Sequence, residues 1–170
     1  VWGTSSGAST YSVTSGTGTG TYTSSLTGLT PATTYFVRSF ATNSVGTVYG
    51  TETNFTTIAV EPTVSATAVA ASITGSSATS GGTISSNGGA TVTVSGVVWS
   101  TTSTPTIALA TKTTNGAATG TYTSSLTGLA PATLYYVRAY ATNSIGTAYG
   151  PQSNFTTLAI APTISATASA

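Results

Sequence analysis

Any chemistry on this 170-residue chain has to come from very few side chains. Five are charged: Arg38, Lys112, Arg138, Glu52 and Glu61. There is no His, Cys, Met or Asp. Enzymes need a base, an acid, a metal or an activated nucleophile. The two glutamates lie nine residues apart, and one repeat length further on their places are taken by Gln152 and Ala161. A function shared by the repeats therefore cannot use them. The many Ser and Thr hydroxyls have no neighbouring group to activate them. A calcium site needs several carboxylate or carbonyl oxygens, so a calcium-stiffened adhesin does not fit either. We expect no enzyme, no catalytic or metal site and no cofactor.

What remains is contact chemistry. Arg38 sits between Phe36 and Phe40, and Arg138 between Tyr136 and Tyr140. On a strand these residues share one face, where an arginine can stack on an aromatic for about 0.5–1 kcal/mol. The stripe Phe36, Arg38, Phe40, Tyr136, Arg138, Tyr140 is the candidate binding or assembly surface. It suits a glycan, through CH–π stacking, or a neighbouring chain; the competing reading is ordinary cross-strand packing. Tyr149 and Trp99 could extend the patch, although a core place suits the area a tryptophan buries. Other motifs are weaker. Thr17-Gly18-Thr19 and Thr91-Val92-Thr93 suggest ice binding but read better as solvated strand faces. Gly16-x-Gly18-x-Gly20 lacks the Lys and helix of a phosphate loop and reads as a turn. Asn54-Phe55-Thr56 and Asn154-Phe155-Thr156 match the N-glycosylation sequon, which little suits a paired strand.

The elements that position these residues are set by a repeat. Gly20–Ala70 and Gly120–Ala170 align without a gap, with 36 of 51 positions identical at a shift of 100 residues. That period is a domain, well beyond the roughly 20–50 residues of a solenoid unit. Val1-Trp2 corresponds to Val98-Trp99. The expected division is 1–58 as the back part of one repeat, 59–158 as a complete repeat, and 159–170 as linker and first strand of the next. The opening within a strand-like sequence reads as a mature piece or an internal window of a longer chain. Ile58–Pro62 is short, apolar and ends in proline, which predicts a stiff joint.

Within the complete repeat the alternation predicts strands at 63–73, 76–86, 91–100, 107–114, 120–129, 135–143 and 147–157. Asn87-Gly88-Gly89, Asn115-Gly116 and Ser144–Gly146 turn the chain. No segment has helical periodicity. Seven short strands in about 100 residues predict an antiparallel β-sandwich. The central one, Tyr135–Asn143, alternates with Tyr135, Val137, Ala139 and Ala141 on one face and Tyr136, Arg138 and Tyr140 on the other. Net charge is +1, which suggests neither a nucleic-acid partner nor an anionic membrane, and no apolar run reaches the length of a membrane span.

The order Leu129-x-Pro131-x-Thr133-x-Tyr135-x-Val137-Arg138-Ala139-x-Ala141-x-Asn143 resembles the E–F corner and F strand of fibronectin type III domains. The resemblance implies an all-β fold of tandem immunoglobulin-like, fibronectin type III-like antiparallel β-sandwiches. It also implies that Tyr35 and Tyr135 are structural corner tyrosines whose hydroxyls bond to backbone just upstream. More narrowly, Ala78–Thr157 is similar to tandem repeats of secreted and surface proteins of gliding, type IX-secreting bacteria. The matching phrases include Gly96-Val97-Val98-Trp99-Ser100-Thr101, Gly146-Thr147-Ala148-Tyr149-Gly150 and Asn154-Phe155-Thr156-Thr157. The chain departs from them in its scarcity of charge and in Val98, where cysteine is expected. The implied role is a structural or adhesive repeat of a long extracellular, cell-surface protein or filament. It would self-associate, or pack on neighbouring repeats, through uncharged sandwich faces that lack charged gatekeepers. The alternative is a carbohydrate-binding or spacer module of a secreted multidomain enzyme.

Overall fold

A computed structural model describes residues 1–163. They contain strands and turns and no helix. The strands are β1 (Trp2–Gly3), β2 (Thr34–Val37), β3 (Phe40–Thr42), β4 (Thr47–Tyr49), β5 (Thr53–Thr56), β6 (Thr63–Thr67), β7 (Ser77–Ser86), β8 (Val94–Ser100), β9 (Gly120–Thr127), β10 (Leu134–Thr142), β11 (Thr147–Tyr149) and β12 (Ser153–Thr156). The chain divides into two compact units, Val1–Val60 and from Glu61 onward. The strand expected within 159–170 falls largely on 164–170 and lies outside the described residues.

The second unit is a two-sheet sandwich. One sheet has the order β6-β7-β9; in the other, β10 pairs with β8 on one side and with β11 and then β12 on the other, all antiparallel. Both sheets contribute to one core: Val64, Ala78, Ile84 and Leu126 from the first; Val97, Trp99, Tyr135, Val137, Ala139, Ala141 and Phe155 from the second. Trp99 is in that core, opposite Val137 in the ladder.

Small residues in β7 set the spacing. A side chain at Gly81 would strike the carbonyl of Tyr122, and one at Gly82 would strike the Ala139 methyl. Gly81 thereby lets β9 pair closely alongside β7, and Gly82 lets the two sheets close on each other. The alternation Ala78, Ser80, Gly82, Ile84 puts small groups inward and leaves room for Leu126 and Val137, both fully buried.

The observed strands differ from the alternation pattern in three places. The first strand stops at Thr67, with one further bridge from Ala71 to Thr79. Residues 107–114 form no strand. Their backbone instead follows the free edge of β8 through Thr111 O, Thr113 N and an isolated Val98–Lys112 bridge. The expected strand 147–157 splits into β11 and β12 around Gly150–Gln152, and both parts pair with β10. Gly150 stays in place by donating to the Ala139 carbonyl at 2.9 Å. Neither Thr-x-Thr motif lies in a strand.

The first unit, Val1–Val60, carries the counterpart of one sheet only. β1-β2-β5 and β3-β4 correspond to β8, β10, β11 and β12. Among its residues nothing corresponds to β6 and β7.

Candidate binding face

The corner before β10 is built from backbone and three side chains. Pro131 starts it and Ala132 takes a left-handed φ of 49°, which reverses the chain. The Tyr135 hydroxyl accepts the Ala130 N–H at 3.0 Å. The buried Thr157 hydroxyl donates to Ala130 O at 2.6 Å and accepts the Thr133 N–H at 2.9 Å. The first unit repeats this geometry: Tyr35 accepts from Thr30 N at 2.9 Å, Ala32 has φ 49°, and Thr57 bonds Thr30 O and Thr33 N. Each corner tyrosine stacks on a phenylalanine, Tyr135 on Phe155 at 5.8 Å and Tyr35 on Phe55 at 6.0 Å between centroids. Thr57 and Thr157 were missed in the sequence. Their only signal is a fixed place in the repeat, because a threonine that closes a corner looks like any strand threonine.

The corner aims β10, and β10 carries the stripe. Arg138 and Tyr136 are half-buried. Arg138 lies over the ring of Tyr149, at 4.4 Å from its centroid, and its Nε donates to Gly150 O at 3.3 Å. Its aromatic partner is therefore across the ladder on β11, rather than Tyr136 or Tyr140 on its own strand. The Tyr149 hydroxyl accepts the Ile107 N–H at 3.0 Å, and Lys112 caps the carbonyls of Ile107 and Leu109. The cation is thus spent on fastening a loop to the sheet.

Tyr140 is a correction to the open stripe: it is 2% exposed. Its ladder partner is Gly96, and a side chain there would meet both the Tyr140 ring and the Thr113 carbonyl. The missing side chain makes room for the ring, and the hydroxyl donates to Thr113 O at 2.7 Å. Burial pushes its pKa up. Strand parity placed Tyr140 on the outer face but could not see that the 111–116 segment reaches over that part of the sheet.

The first unit holds its stripe differently. Arg38 lies 4.7 Å from the Tyr49 ring centroid, donates through Nη2 to Gly7 O at 3.0 Å, and sits 3.8 Å from Glu52. Glu52 accepts from Ser6 Oγ at 2.6 Å and Gly7 N at 2.8 Å. The Ser6 hydroxyl and then the Gly7 amide, aided by Arg38, hold the Glu52 carboxyl below its ordinary range against a smaller opposing effect of desolvation. The second unit keeps the tie without the charge, since Gln152 accepts the Thr104 N–H. Both residues fasten the loop that follows the tryptophan strand. Phe36 and Phe40 are half-buried.

The largest difference between the units is a groove. In Val1–Val60 an open cavity of about 780 Å³ is lined by Val13, Tyr22, Leu26, Val37, Phe40 and Ala41 among others. The residues that correspond to Val37 and Ala41 are Val137 and Ala141, both fully buried. No group of three or more possible metal ligands occurs among the described residues, and no helix there is long and apolar enough to cross a membrane.

No family model and no curated protein sequence matches the chain. Among solved structures it is similar to domains d3–d4 of the rat CD45 extracellular region, with a TM-score of 0.53 and 16% identity over 86% of this chain and 76% of that one. It is also similar to titin domains A168–A170, with a TM-score of 0.44, 20% identity and coverage of 75% and 41%. The chicken CNTN1 FN1–FN3 domains give 0.40, 23%, 77% and 45%. The chain spans less than half the length of the titin and CNTN1 fragments. The CD45 likeness bears on fold alone. The fold is all-β and immunoglobulin-like, of the fibronectin type III kind.

Proposed function

We propose that the chain is a run of structural or adhesive repeats from a long extracellular bacterial surface protein or filament, with repeats bounded near residues 58 and 158. The observation that carries this is what the repeat preserves. The tyrosine corner, the Thr57/Thr157 clasp and the Arg–Tyr stack occur in both units, and all of them hold backbone in place. Glu52, whose carboxyl is held below its ordinary range, is replaced by Gln152 with its fastening role intact. Contacts that hold backbone, with no reactive group common to the two copies, are what a mechanical or spacing element requires. The bacterial, gliding-type source is supported by the phrases around Trp99, Tyr149 and Phe155.

The repeats associate through uncharged apolar surface. Val45, Val48 and Leu158 are exposed and carry no charged neighbour in sequence; Ile145 is exposed as well, with the Glu61 carboxylate against the adjoining Gly146. Surfaces of this kind pack against one another unless charge keeps them apart. Sedimentation of the full chain over a range of concentrations tests the reading. Association should appear and should be lost in a Val45→Lys, Val48→Lys, Ile145→Lys variant. A chain that stays monomeric at every concentration refutes association through these faces.

A further inference from the structure

Two Asn-Gly pairs turn the second unit, Asn87-Gly88 and Asn115-Gly116. An asparagine followed by glycine is open to attack by its own backbone. The glycine nitrogen adds to the side-chain amide carbon, and the glycine has no side chain to stand in the way. In a folded chain the step needs an N–H that solvent base can reach. It is helped by donors on the amide oxygen, where charge gathers.

The structure separates the two pairs on both counts. Gly88 is buried, and its N–H donates to Ser86 Oγ at 3.1 Å. Asn87 Oδ1 accepts only the Gly89 N–H, at 2.9 Å. Gly116 is exposed, and its N–H has no acceptor among the described residues. Nothing lies within 4 Å of the place where a side chain on Gly116 would stand. Asn115 Oδ1 accepts two hydroxyls, Thr113 Oγ1 at 2.7 Å and the buried Ser124 Oγ at 2.6 Å. Asn115 Nδ2 donates to Thr123 O at 2.6 Å, and its backbone N–H to Ser95 O at 2.8 Å. Asn115 thus clasps the 111–116 segment to β8 on one side and to β9 on the other. The corresponding residue of Val1–Val60 is Ser15, which bonds Ser24 Oγ at 2.5 Å, so the amide belongs to one repeat of the two.

We propose that Asn115-Gly116 is a self-modification site of the folded chain, deamidating through a cyclic imide, and that Asn87-Gly88 is closed to the same reaction. Solvent base takes the Gly116 amide proton, and the nitrogen bonds to Asn115 Cγ. The carbonyl electron pair moves onto Oδ1, which the Thr113 and Ser124 hydroxyls stabilise. The Cγ–Nδ2 bond then breaks, the departing nitrogen takes a proton from water, and ammonia leaves. Water opens the imide at either carbonyl and leaves an aspartyl or an isoaspartyl residue at 115. Water is the only co-reactant. The product lacks the donor that Thr123 O accepted and sets a carboxylate beside that carbonyl. One added negative charge on a net charge of +1 makes the chain neutral. The clasp loosens where the segment covers Tyr140, whose hydroxyl donates to Thr113 O.

The test holds the full chain at mildly alkaline pH, folded and in urea, and follows each site by peptide mass and by separation of the two isomers. In urea both pairs lack structure and should convert at similar rates. In the folded chain Asn87 should slow by about tenfold or more, because attack there waits for local opening. Asn115 should keep its rate in urea or exceed it. Ser124→Ala should slow Asn115 by about tenfold or more in the folded chain and leave its rate in urea unchanged. Ser86→Ala removes the acceptor of the Gly88 N–H and should speed Asn87. Equal slowing of both sites on folding overturns the proposal, as does faster conversion at Asn87 than at Asn115. An unchanged Asn115 rate in folded Ser124→Ala overturns the part given to the hydroxyls. The comparison of folded chain with urea decides the site even where Ser124→Ala does not fold.

Discussion

Two leucines with the same neighbours on either side offer a controlled measurement of tertiary context. Leu26 and Leu126 each sit in Ser-Ser-Leu-Thr-Gly-Leu, so intrinsic strand preference and unfolded-state effects of Leu→Ala nearly cancel between them. Leu126 is fully buried among residues of both sheets. Its truncation loses the transfer free energy of the side chain and leaves a cavity that β7 and β10, closed by Gly82 against Ala139, cannot collapse to fill. The cost is about 3 kcal/mol, within the range of roughly 2–5 for buried leucines. Leu26 faces the open groove, so its truncation removes partial contact and creates no closed cavity; the cost is about 1 kcal/mol or less. Native-state amide exchange reads each unit separately, at Val137 for the second and Val37 for the first. Leu126→Ala should lower protection at Val137 roughly a hundredfold and leave Val37 unchanged. Leu26→Ala should lower protection at Val37 by about fivefold or less. Equal losses at the two sites would refute the reasoning, because the difference would then not come from the partner strand.

Three further outcomes follow from particular contacts. Tyr140→Ala, at a buried ring, should cost about 3–5 kcal/mol in urea unfolding, whereas half-buried Tyr136→Ala should cost about 1 or less. Tyr122 is pushed up to about 12 by burial, outweighing its two backbone hydrogen bonds. Below pH 10 both folded and unfolded states hold that proton; between about 10 and 12 only the folded state does, so stability falls as pH rises through this window, with Tyr140 adding to the fall. Tyr122→Phe should flatten that fall, measured as the unfolding midpoint against pH. Glu52 is shifted the other way, so its contribution is present above its ordinary value of 4.5 and is lost as pH falls through the lowered one. Exchange at the Gly7 amide should quicken across that acid range, and Glu52→Gln should remove the dependence.

Most of the architecture was legible because it depends on local rules. The corner was readable from Pro131, Thr133 and Tyr135, whose types have few other uses in that order. The turn at Asn143 was readable because its side chain accepts the N–H groups of Ile145 and Gly146, at 2.9 and 3.2 Å. Alternation placed Tyr135, Val137, Ala139 and Ala141 on the core face, where all four are buried. Alternation failed at Tyr140, because it reports which face a side chain leaves from and cannot report what lies over that face. It failed again at 107–114, where the backbone pairs only in places along an edge. Arg138 was singled out correctly as an aromatic-stacking residue, but its ring is on β11, and cross-strand register is not written in the spacing along β10.

Glycine and serine in β7 show the same division. By composition, Ser76–Ser86 looked like a strand of small polar residues. Only the packed sandwich shows that Gly82 stands where Ala139 of the other sheet comes close, and that Gly81 stands against the β9 backbone at Tyr122.

The amino-acid sequence by itself determined the all-β class, the 100-residue repeat, the corner and the scarcity of reactive groups, because each follows from residue type and from contacts a few positions apart. The tertiary structure alone decided which copy of Gly-Thr-Tyr-Thr-Ser-Ser-Leu-Thr-Gly-Leu is a strand. A strand's hydrogen bonds are made to another segment, so ten identical residues take the state that their neighbour provides: β9 beside Ser77–Ser86, and irregular backbone in Val1–Val60, whose described residues include no counterpart of that partner.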